Sequence, residues 1–124
     1  MDAGAIPVRV AIQNIPDPAN FQTPPPATLA GGASWVSGPI SLSGYRSLAV
    51  NAKLSQAGTL TIQRYMDLLG LIAIGAPVTQ AMTANVDAYV ALNDGLPAVT
   101  YSITVHNTSG STGNLTNVAV LEQA

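Results

Sequence analysis

Apolar and polar residues alternate with a period of two along most of this chain, the pattern of strands with one face buried. Residues 7–13, PVRVAIQ, set Val8, Val10 and Ile12 against Arg9, Ala11 and Gln13. Residues 34–42, SWVSGPISL, are interrupted at Gly38-Pro39, which predicts an edge position or a bulge. Residues 43–54 turn Leu48, Val50, Ala52 and Leu54 to one side, residues 59–66 do the same with Leu60 and Ile62, and the SQAG between them predicts a hairpin. Further strands are predicted over 83–92 (Val86, Ala88, Val90, Leu92), 97–107 (Val99, Tyr101, Ile103, Val105) and 114–123. Asn93-Asp94-Gly95 predicts a second hairpin, because these residues tolerate the positive φ that such turns need. About eight short strands, with no segment of helical period, predict an all-β fold: a single jelly-roll-like β-sandwich of antiparallel strands.

Two segments break the alternation. Residues 14–32, NIPDPANFQTPPPATLAGG, contain five prolines and no period, so they should run as an extended, polyproline-like arm. The chain thus divides into an N-terminal strand and Pro-rich arm, 1–33, and the sandwich domain, 34–124. A connection this long in a small domain is often functional, and an intersubunit role is expected for Phe21, Pro24, Pro25 and Pro26. The second segment is LLGLIAIGAPV, residues 68–78. It is too short for a membrane helix, which needs about 20 apolar residues, and Gly70, Gly75 and Pro77 punctuate it. Leaving its six large apolar side chains in water would cost on the order of 10 kcal/mol. A strand sends alternate side chains to opposite faces, so one set is expected in the sandwich: Leu69, Leu71 and Ala73 with Leu68, Ile72 and Ile74 facing out, or the reverse parity. The other set should be covered by another copy of the chain. Leu68, Leu71, Ile72, Ile74 and Val78 are therefore the candidate interface residues.

Composition sharpens this picture. The 124 residues include only four basic and six acidic ones, 8% charged, with a formal net charge of −2. A free monomer of this size usually carries about a quarter charged surface positions, so part of the surface is expected to meet protein. With no run of Lys or Arg, nucleic acid is not an expected partner. Lipid-facing aromatic girdles are absent, so no membrane partner is expected either. There is no cysteine. The first residues lack the basic start and apolar stretch of a secretory signal, which predicts synthesis in the cytoplasm without export.

The order of features from Trp35 onward, SWVSGPISLSGYRSLAVNAK, then GTLTIQRY, and finally HNTSGSTGNLTNVAVLEQ, resembles the small jelly-roll domains of tailed-bacteriophage virion accessory proteins, notably capsid decoration or cement proteins. The resemblance covers roughly residues 34–123. It implies a structural virion protein on the capsid surface, a homotrimer that binds across neighbouring subunits of the major capsid protein. Where such modules often have a polar turn after the GTLTIQR strand, this chain has YMDLLGLIAIGAPV, which favours a protein contact there.

No residue pattern points to catalysis, and no enzyme activity, metal or cofactor is expected. His106 is the only histidine and has no second ligand at metal spacing. A Ser-His-Asp triad lacks any nucleophile elbow to expose the serine. Asp67, Asp87 and Asp94 could pair for glycoside hydrolysis, but Asp94 fits the turn and Asp87 the outward face of its strand. Trp35, Tyr45, Tyr65, Tyr89 and Tyr101 sustain an alternative reading as a carbohydrate-binding or host-adhesion module, although they are spread over separate strands. The sequons at Asn107 and Asn114 are chance matches if, as expected, the chain is not secreted.

Overall fold

A computed structural model describes residues 13–124, so the strand predicted over residues 7–13 lies outside the described residues except for Gln13. The first five strands are β1 (Gln13–Asn14), β2 (Thr28–Leu29), β3 (Ser34–Val36), β4 (Ile40–Ser41) and β5 (Ser47–Leu54). They are followed by β6 (Gly58–Tyr65), β7 (Ala73–Met82), β8 (Val86–Leu92), β9 (Thr100–Asn107) and β10 (Gly113–Gln123). Ten strands are thus formed among the described residues, where about eight were expected for the chain. The surplus comes from two-residue pieces too short to show a period.

All pairings are antiparallel, and the strands form two packed sheets, a β-sandwich. One sheet has the order β1-β10-β5-β8, with β2 added at the start of β10. The other has the order β3-β9-β6-β7, with β4 following β3 along the same side of β9. The core is built from the alternate residues that the sequence marks. Val50, Ala52 and Leu54 of β5, Leu60 and Ile62 of β6, Val90 of β8 and Tyr101, Ile103 and Val105 of β9 are all buried. The break at Gly38-Pro39 separates β3 from β4. The buried Ser37 bridges the gap, its Oγ accepting the Ile103 N–H at 2.9 Å while its own N–H bonds to the Ile103 carbonyl.

Neither predicted hairpin forms. β5 and β6 lie in different sheets, as do β8 and β9, so the SQAG and NDG segments are corners between the two layers. The physical reason is that two strands facing each other across a core have the same inward parity as two strands paired in one sheet. The hairpin that does form is β6–β7, closed by the apolar segment itself.

The Pro-rich segment is extended but packed. Asp17 caps a short 3-10 turn at Pro18–Asn20. Phe21 then stacks on Trp35, with ring centroids 6.3 Å apart, and the Trp35 indole N–H donates to the Thr23 carbonyl. Both rings are buried, as is Leu29 where the segment reaches β10. Full burial of a side chain of this size contributes about 1.5–3 kcal/mol, enough to hold the strap onto the sandwich.

Candidate interaction surface

The segment that joins β6 to β7 is a tight seven-residue turn, Met66 to Ile72, and its backbone is pinned from within. The Met66 N–H donates to the Ile72 carbonyl at 2.9 Å and closes the turn. The Asp67 carboxylate accepts the N–H groups of Leu71 (3.0 Å) and Ile72 (2.8 Å), while the Thr100 hydroxyl donates to the Asp67 carbonyl at 2.7 Å. Gly70 sits at φ +68°, which few other residues adopt, and an added Cβ would press within 3.3 Å of Pro39. These amide bonds, with Ile72 the strongest contributor, hold the Asp67 carboxyl below its ordinary range against a smaller desolvation effect.

Because the polar backbone is turned inward onto Asp67, the side chains radiate outward. Leu68, Leu69, Leu71 and Ile72 are 71%, 72%, 76% and 54% exposed, and Met66 is exposed beside them. The expectation that Leu69, Leu71 and Ala73 would enter the sandwich is therefore corrected. Strand parity does not apply before Ala73, where β7 begins, and neither leucine reaches the core. Ile74 and Val78 are half-buried along β7, opposite Arg64 and Ile62. From Leu68 to Val86 no residue is charged, so the loop beyond Asp67 and β7 form one border without charged side chains.

The other predicted interface residues lie elsewhere. Phe21 is taken up by this chain's own core through its stack on Trp35, which removes it from any contact surface. Pro24 is exposed, with Pro25 and Pro26 half-buried. They lead from Thr23, bonded to Ser37, toward β2 at the Asn107 end of the sandwich, away from the loop beside Thr100.

The remaining candidate chemistry is accounted for by structure. His106 Nδ1 lies 2.7 Å from the Ser34 hydroxyl, and no carboxylate among the described residues is bonded to the ring. The Asp94 carboxylate makes a two-pronged pair with Arg64, at 2.7 and 2.8 Å, which holds it far below the usual carboxylate range. Asp87 accepts from the side-chain amides of Asn51 and Asn117 and is lowered by them. The three carboxylates thus serve three separate places, and no group of three or more metal-ligating residues occurs among the described residues. Trp35 and Tyr101 are buried, Tyr45 and Tyr65 half-buried, and only Tyr89 is well exposed, so no aromatic platform for a sugar is assembled. Asn107 is fully buried, its amide donating to the carbonyls of Leu29 and Ser111, which closes that sequon to modification in the folded chain.

Fold and surface together define the class: an all-β protein of two packed antiparallel sheets with a hydrogen-bonded loop of exposed apolar side chains at one end. No family model matches the chain, and no curated protein matches it in sequence.

Proposed function

We propose that this protein is a structural component of a bacteriophage virion, a capsid decoration protein that stabilises the shell by binding as an oligomer across neighbouring capsid subunits. The observation that carries the reading is the loop 66–72, whose leucines are held in water by a network of backbone hydrogen bonds. A floppy apolar loop would collapse onto its own domain. One that is pinned open is preorganised to be covered by protein, which lowers the ordering entropy of docking. The sparse charge of the chain supports the same reading.

A jelly-roll topology is part of the proposal. It is supported by the strand orders β1-β10-β5-β8 and β3-β9-β6-β7, in which the chain passes from sheet to sheet at four of its last five connections. Jelly rolls are a recurrent architecture of virus coat proteins, because the double sheet is rigid and presents its loops at the ends. The mechanism needs no catalysis: each copy that binds the assembled lattice but not its dissociated subunits stabilises the lattice by mass action, and a trimer gains further from multivalency.

The test is pelleting with empty shells assembled from a bacteriophage major capsid protein. The wild-type chain is expected to co-sediment to a saturating ratio and the Leu71→Asp variant to remain in the supernatant. Failure of the folded wild-type chain to pellet at any ratio would remove the capsid from the account.

A further inference from the structure

A second apolar surface lies on the outward face of the first sheet. There Ala49 of β5 sits opposite Ala91 of β8 and Leu121 of β10, and Asn51 opposite Tyr89 and Ala119. The small alanine side chains leave a shallow depression of about 360 Å³, walled by Ile15 and Tyr89, which are 65% and 68% exposed. Outward sheet faces are ordinarily polar, so this face is as anomalous as the loop. Asn51 is the polar residue in it, and its amide is already bonded to Asp87 and to the Asn117 carbonyl.

The two surfaces complement one another. The loop is convex, with its one carboxylate, Asp67, turned onto its own backbone amides; the depression is concave and apolar. Three leucine or isoleucine side chains, at roughly 100 Å³ each at interior packing density, occupy about 300 Å³, close to the 360 Å³ available. We infer that the Met66–Ile72 loop of one copy seats in the Ala49–Tyr89–Ala119 depression of the next, so that copies associate head to tail. Loop and depression belong to different sheets, so the contact is not self-paired: it generates a ring where the rotation closes, and three copies would make the expected trimer. In a closed ring every copy uses both surfaces, so each copy makes two contacts.

The inference rests on the reading of the loop as a contact surface, and it is tested on the purified chain without any capsid. Light scattering should give three times the 12.6 kDa mass of one chain. Leu71→Asp, in the loop, and Ala119→Arg, in the depression, should each give monomers with an unchanged far-ultraviolet spectrum. Leu69→Lys and Ala49→Arg serve in their place if either variant misfolds. The deciding measurement is an equimolar mixture of the two monomeric variants. The intact loop of one fits the intact depression of the other, so the mixture should form a dimer of twice the chain mass and no trimer. A mixture still monomeric at about 1 mM, or a monomeric wild-type chain, overturns the inference. A monomer that still pellets with shells would do so without touching the capsid reading, and a ring that fails to pellet would do the reverse.

Discussion

Leu60 and Leu71 are the same residue type on the same hairpin, and the structure assigns them opposite roles. Leu60 is fully buried on β6, whereas Leu71 is 76% exposed on the loop. Truncating a buried leucine removes its transfer free energy and leaves a cavity, so Leu60→Ala should destabilise the chain by about 2–5 kcal/mol at any protein concentration. Leu71 keeps only a quarter of its surface from water. At about 2 kcal/mol for full burial, Leu71→Ser should lower the stability of the isolated chain by only about 0.5 kcal/mol. Assembly changes the comparison. If the loop is covered by a partner copy, the wild type gains about 2.7 kcal/mol when the concentration rises to a hundred times the dissociation constant, and Leu71→Ser should lack that gain. Urea denaturation at dilute and concentrated protein measures both terms. A loss above about 2 kcal/mol in the dilute Leu71→Ser sample would mean that the loop belongs to the core. An unchanged concentration dependence would mean that it does not mediate association.

Three further outcomes follow from the hydrogen-bond network. Asp67 has a lowered pKa in the folded chain, so its hold on the loop is fully present above the ordinary carboxylate range and fades only as pH falls through the depressed value. The amide resonances of Leu71 and Ile72 should therefore be constant from about pH 8 to 5 and move only below about pH 4; a midpoint above pH 5 would contradict the assigned bonds. The buried Tyr101 hydroxyl donates to Glu122 at 2.7 Å, and Asn14 donates to the other carboxylate oxygen. Tyr101→Phe should cost about 1–3 kcal/mol by calorimetry, since it strips one donor from a buried carboxylate. Asn107→Ala removes the side-chain donor to the Leu29 carbonyl and one of two donors to the Ser111 carbonyl, and should cost about 1–3 kcal/mol, with faster amide exchange in β2 and in residues 108–111 and little change in β6.

The inward residues of the long strands were legible because each strand buries one face, and a period of two records that directly. Val50, Ala52 and Leu54 needed no structure to be placed in the core. Partner strands were not legible. Leu54 and Leu60 face one core whether their strands pair in one sheet or oppose each other across the sandwich, so SQAG and NDG were both mistaken for hairpin turns. Phe21 was misplaced because its stack on Trp35 is a contact between segments with no shared periodicity. The run LLGLIAIGAPV was recognised as anomalous, but its geometry depends on Asp67, a single polar residue outside the run whose carboxylate turns the backbone inward and the leucines outward. The depression around Ala49 and Ala119 was missed because alanine at an outward position carries no signal alone. It becomes a surface only when three strands bring Ala49, Ala91 and Ala119 side by side with Tyr89 and Leu121.

The most direct test of the account is the thermal stability of the capsid itself. Empty shells, heated with and without a saturating amount of this chain, are followed by calorimetry. The account predicts a transition raised by several degrees in the presence of the wild-type chain and unmoved by Leu71→Asp. Shells that melt at the same temperature with the wild-type chain bound, or that gain as much from the loop variant, would contradict the claim that this protein, assembled through its apolar loop, stabilises the lattice it binds.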